Sequence, residues 1–153
     1  MDYSIGRIGR ILAARLRDGE PVYACIEELA RREEVESAIV LVVGGARRGR
    51  VVVGPKDPGG PIEPMTEQFD DAREMVGFGT IIRAGDRPSL HLHGAIGRGG
   101  CQPIVGCPRQ GLDAFLVLEV FVIEVEGLDA ERMLDPASGL RLLGFRSPRK
   151  IEL

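Results

Sequence analysis

From Ser37 to Val43 the chain reads SAIVLVV, a β-branched run closed by Gly44-Gly45, which is the pattern of a strand buried on both faces. Residues 114–126 (AFLVLEVFVIEVE) form the longest such run, and residues 89–97 (SLHLHGAIG) alternate as a half-buried strand does. Only residues 21–34 carry a clear helical period. There Val22, Ile26, Leu29 and Ala30 recur three or four apart, with Glu27, Glu28, Arg31 and Arg32 opposite and Pro21 at the start. Residues 6–17 read as a strand rather than a short helix, and Asp18-Gly19 as a turn. Arg50–Val53 reads as a short hairpin partner of the 37–43 strand, which makes Arg47–Arg50 its turn. Residues 54–64 read as a loop. Residues 65–83 read as one or two strands with a weak point or bulge at Gly77 and Gly79. Gly97–Gly100 reads as a turn, Gln102–Cys107 as a returning strand, Leu128–Leu134 as a short helix and Leu140–Phe145 as a last strand. The expected class is α+β, with one main helix on a largely antiparallel sheet of about seven strands.

Composition narrows the function classes. The chain has 153 residues, 44% of them hydrophobic and 28% charged, which fits one ordinary core over residues 1–153. No apolar run approaches the roughly 20 residues that span a bilayer, and no signal-peptide core opens the sequence, so the expected location is cytoplasmic with no membrane partner. Twenty basic residues against 23 acidic ones give a net charge of −3, which does not favour a protein held to nucleic acid mainly by charge. In the cytosol Cys25, Cys101 and Cys107 read as free thiols or metal ligands.

The two histidines of the chain stand as His91-Leu92-His93. On a strand, positions i and i+2 share a face, so both imidazoles project to one side while Leu90, Leu92 and Ile96 take the other. A pair of neutral imidazoles is a frequent half-site for zinc, copper or nickel. A reversal centred near Gly100 pairs residues whose numbers sum to 200, and so sets Cys107 directly opposite His93. Such partners have Cβ atoms about 5 Å apart on one face. Cys107, as thiolate, is therefore the third candidate ligand. Three protein ligands leave a position for water or substrate, as in catalytic zinc sites. The plainer alternatives are paired surface histidines and a small buried cysteine.

Glu119 shares a face with Phe115, Val117, Phe121 and Ile123. It is the candidate proton carrier, or a partner orienting a histidine. The alternative is that this face lies at an edge or subunit contact, where Glu119 pairs with an arginine. Glu74 reads as a structural ion-pair partner, with Arg83. Arg47-Arg48-Gly49-Arg50 has part of the core of a minor-groove-binding AT-hook, but Val51 replaces the proline and continues a strand. The glycine pairs lack phosphate-loop spacing.

These motifs run in the order found in the plant-and-prokaryote-conserved (PPC) domain family, which the chain resembles over nearly its whole length. The shared features are Arg15–Glu20, the Ser37–Val43 strand with Gly44, Glu74–Gly79, Pro88–Gly97 with its His-x-His, and Glu119-Val120. Where the family carries a third histidine after a Gly-Gly pair, this chain has Cys107, followed by Pro108. The resemblance implies a homotrimer, a fold distantly related to acetolactate decarboxylase, and a zinc site that takes His91, His93 and Cys107 here. The expected function is a zinc-binding trimeric domain with metal-assisted chemistry on a small molecule. A DNA-associated regulator, with an arginine patch at Arg47, Arg48, Arg50, Arg146 and Arg149, is the alternative reading. A non-catalytic oligomeric scaffold is the third.

Overall fold

A computed structural model describes residues 1–59, 62–109 and 111–151. Among the described residues eleven strands and one helix follow in order: β1 (Asp2–Tyr3), β2 (Arg7–Arg17), α1 (Val22–Arg32), β3 (Ser37–Pro55), β4 (Pro64–Phe69), β5 (Arg73–Ala84), β6 (Arg87–Gly97), β7 (Ile104–Pro108), β8 (Asp113–Glu126), β9 (Ala130–Leu134), β10 (Arg141–Phe145) and β11 (Arg149–Lys150). The main sheet has the order β2-β8-β3-β5-β6-β7, with β4 joined to β3 as its seventh strand, and every pairing is antiparallel. The α+β class with a largely antiparallel sheet of about seven strands is therefore what the chain adopts.

Its organising element is β3. Its first part lies between β5 and β8, from Ala38 to Ala46, while Val51 and Val52 pair with Pro108 and Cys107 of β7. One strand thus begins in the middle of the sheet and returns to its far edge, curling the sheet toward a barrel. Here the expected hairpin is corrected. Gly44-Gly45 does not end the strand, and Arg47–Arg50 is not a turn. The glycines let β8 come close: a Cβ at Gly45 would lie 2.3 Å from the Phe115 carbonyl oxygen and one at Gly44 2.4 Å from that of Val117. The sheet slips its register at this point, and Gly44 has a φ of 140° that L side chains rarely adopt.

Three further readings change. Leu128–Leu134 is not a helix; its latter part is β9, which forms a hairpin with β10 in the register Ala130↔Phe145. Residues 65–83 become two strands, and Gly77 and Gly79 sit in unbroken register opposite Gly94 and Leu92, without a bulge. Glu74 and Arg83 lie near opposite ends of β5, too far apart to pair, and Arg83 instead meets Glu36 at 2.8 Å. Of the expected 54–64 loop, residues 60 and 61 lie outside the described residues; β3 extends to Pro55 and β4 starts at Pro64.

The helix buries Val22, Ile26 and Ala30 against the inner face of the sheet, where Val40, Leu92, Ile96, Leu118, Val120 and Val122 close the core. It also braces the strands beneath the histidines. The Leu90 N–H of β6 donates to the Glu27 carboxylate at 2.9 Å, and the Tyr23 hydroxyl donates to the Pro108 carbonyl at the end of β7. Burial, reinforced by the neighbouring Cys107, pushes the Tyr23 phenol far above its ordinary range, which keeps this donor protonated. None of the described helices is long and apolar enough to cross a membrane.

Candidate metal centre

The β6–β7 hairpin pairs Gly94 with Gly106, Ala95 with Val105 and Ile96 with Ile104, so its partners sum to 200. The next position brings His93 and Cys107 abreast. Cys107 also pairs with Val52 across the returning end of β3. That approach is tight: a Cβ at Gly106 would lie 2.2 Å from the Val52 carbonyl oxygen. Glycine is thus what allows β7 to lie between β6 and β3 and turn its thiol toward the histidines.

The His91 and His93 rings meet edge to face, 83° apart in plane, with centroids separated by 5.0 Å. One ligand atom from each of His91, His93 and Cys107 lies within 4.8 Å of the others. An ion at the centre of such a triangle is within reach of all three by small rotations of the side chains. Two imidazoles and a thiol are a donor set of intermediate softness, suited to zinc and unsuited to magnesium or calcium. Both histidines are exposed on the outer face of the sheet, and Cys107 is buried.

The electrostatics act in opposite directions on the two ligand types. Burial lowers the His91 pKa below the ordinary 6.5, helped by Arg132, His93 and Arg109, so its neutral ligating form is favoured. Burial raises the Cys107 thiol, while Arg109 and Arg132 pull the other way. An ion would have to displace the thiol proton, and affinity would rise with pH. The Cys107 sulfur lies 3.7 Å from the Pro108 carbonyl oxygen that also receives Tyr23.

A pocket of about 570 Å³ opens beside the cluster, with apolar walls from Val52, Pro55, Ile62 and Leu140 and with Arg109 in its lining. Its size is that of a small-molecule site. On the other side of His91 lies a second cavity, of about 550 Å³, that includes Thr80 and Arg132. The Arg132 guanidinium donates to the Thr80 hydroxyl at 2.9 Å, and Thr80 is the residue directly opposite His91 on β5.

The other sequence candidates fall elsewhere. Glu119 is exposed on the outer face, between Arg15 of β2 and Val43 of β3. Counting through Val43, Val76 and Ala95 puts it three strands from β6, roughly 14 Å at the usual strand spacing. One chain therefore does not bring Glu119 to the cluster. Cys25 is on α1 and Cys101 is exposed in the β6–β7 turn. The arginine patch is largely neutralised: Arg47 pairs with Asp18, Arg48 with Asp113 and Arg146 with Asp129. Arg109 and Arg132 were not singled out from sequence. Arg109 had a faint signal, two positions beyond Cys107. Arg132 had none, since its segment resembled a helix.

Several solved structures share this architecture. The metal-containing protein AF0104 from Archaeoglobus fulgidus superposes with a TM-score of 0.82 at 22% identity, over 93% of this chain and 98% of that one. A PPC protein from Pyrococcus horikoshii gives 0.80 at 20% identity, over 97% of each chain. A candidate DNA-binding protein from Ralstonia eutropha JMP134 gives 0.73 at 25% identity, over 87% of this chain and 90% of that one. No match was found among curated proteins. The model of the Plants and Prokaryotes Conserved (PCC) domain matches residues 3–126, from β1 to the end of β8 and with all three candidate ligands inside it, and the chain belongs to that family.

Proposed function

We propose that the protein is a zinc-binding, homotrimeric member of this family, cytoplasmic, whose metal is held by His91, His93 and Cys107 and serves chemistry on a small molecule. The observation that carries the reading is the convergence of three ligand atoms within 4.8 Å of one another beside a pocket of small-molecule size. Zinc so held would supply Lewis acidity, with an unfilled position for water or a substrate oxygen. The chain's own part is to orient the ligands: β6 sets the imidazoles two residues apart, Gly106 admits β7, and Tyr23 fixes the Pro108 carbonyl. The metal-containing archaeal neighbour gives further support.

The trimer has its support in the outer face. Leu41, Val43, Val76, Phe78, Val105 and Phe121 are all exposed there, a cluster of large apolar side chains that a monomer would leave in water. Glu119 lies on this same face. Its proposed role is in the chemistry of an assembled site, where a second copy carries it to the cluster, or in the contact itself beside Arg15.

Elemental analysis of the purified protein tests the metal, with about one zinc per chain expected and a loss of most of it in His93→Ala. Less than about a tenth of an equivalent, unchanged by that substitution, overturns the reading. Sedimentation equilibrium tests the trimer. The DNA-associated reading draws on the Ralstonia eutropha neighbour, described as a candidate DNA-binding protein. Saturable binding of duplex DNA at micromolar protein and moderate salt would favour it; absence of binding at low salt removes it.

A further inference from the structure

Arg132 is half-buried, and among the described residues no carboxylate pairs with it; its guanidinium has only the Thr80 hydroxyl at 2.9 Å. Burial lowers its pKa, partly offset by Cys107, so the surroundings work against its charge. Asp2 lines the same cavity without forming an ion pair to it. A half-buried cation with one neutral hydrogen-bond partner is incompletely compensated, and an anion would complete it. Arg109 lines the pocket on the other side of His91, and its side chain likewise forms no ion pair among the described residues. Arg47, Arg48 and Arg146, by contrast, each meet an acid. The one carboxylate in the described pocket wall, Asp57, accepts the Gly59 N–H at 2.8 Å.

We infer that the cavity on the Arg132 side of His91 receives a small organic carboxylate with an apolar body, its carboxylate paired with Arg132 and its hydrocarbon part lying against Ile39, Leu128, Leu143 and Phe145, while the exposed Arg109 adds positive charge from across His91. The inference rests on the metal reading for the location of the site and names the substrate class for it. Guanidinium groups offer paired donors that match the two oxygens of a carboxylate. Inorganic phosphate fits less well, because it is strongly hydrated and brings nothing to bury against the apolar wall.

Calorimetric titration of the zinc-loaded protein tests this with three probes: isovalerate, its neutral isostere isovaleramide, and inorganic phosphate. Saturable binding of isovalerate is expected, with isovaleramide at least about tenfold weaker, the effect of removing one charge-assisted contact. Arg132→Gln should weaken isovalerate by about tenfold and Arg109→Gln by less, while zinc content stays unchanged. The comparison of acid with amide on the unaltered protein needs no variant, so a misfolded substitution leaves the test intact. Equal binding of acid and amide, no binding of isovalerate, or phosphate binding as tightly as isovalerate overturns the inference. If the protein holds no zinc, the metal reading fails, and the same titration still decides: discrimination of acid from amide upholds the arginine site and its absence removes it.

Discussion

Two stretches of this chain advertise chemistry in the same way, by crowding reactive side chains into a few residues. One is the pair His91 and His93 with Cys107 across the hairpin; the other is Arg47, Arg48 and Arg50. Both lie on strands at sheet edges or bends. In the first, the side chains meet each other, and among the described residues no carboxylate pairs with the rings. In the second, each of two side chains has its own acid: Arg47 meets Asp18 at 2.5 Å and Arg48 meets Asp113 at 2.6 Å. The lesson is that density in sequence is not the mark of a site. A strand sends neighbours to opposite faces, so Arg47 parts from Arg48, and Arg48, though two residues from Arg50 as His91 is from His93, is taken up by Asp113.

The contrast can be broken or sharpened by substitution. The largest effect is expected from replacing both His91 and His93 with alanine, which should weaken zinc binding by more than about a hundredfold in a chelator competition while the thermal transition of the metal-free protein hardly moves. A large loss of metal-free stability would place the imidazoles in the folding core instead. Next comes Gly106→Ala. With 2.2 Å between its Cβ and the Val52 oxygen, β7 must shift, so both stability, by about 1–3 kcal/mol in urea unfolding, and zinc affinity should fall together. Unchanged affinity would show that the thiol is dispensable.

Asp113→Ala tests the other stretch. The carboxylate is buried and holds Arg48 at 2.6 Å, so stability should drop by roughly 1–2 kcal/mol with zinc binding intact. A gain in DNA affinity from the released arginine would revive the nucleic-acid reading. The smallest effect belongs to the exposed helix charges. Arg31 and Arg32 hold the Glu28 carboxyl down at about 2, against an ordinary 4.5. Its contribution is therefore present above pH 4.5 and fades as pH falls from there toward 2. Glu28→Gln should lower the melting temperature by about 1 °C or less at pH 7, with the difference vanishing near pH 2.

The site was more legible than the frame around it. His-x-His on an alternating strand and a glycine turn near Gly100 are local signals, and together they fix which residue faces His93. The helix was equally clear, since Val22, Ile26 and Ala30 keep one face. Strand β3 was misread because glycine serves two purposes: Gly44-Gly45 looked like an ending, while its real use is to let another backbone approach, which only the fold reveals. The β9–β10 hairpin was misread because a five-residue strand carries too few positions to separate one period from another. Arg132 was invisible for the same reason, its neighbourhood being set by a pairing some fifty residues away from Thr80.

Strand β7 is fastened lightly: two residue pairs join it to β3 and three to β6. An ion bridging Cys107 to the imidazoles of β6 would act as a rivet between the arms of that hairpin. Amide hydrogen exchange along residues 104–108 should then slow on loading while the rest of the sheet keeps its pace, so that the occupancy of the centre is written into the breathing of a single short strand.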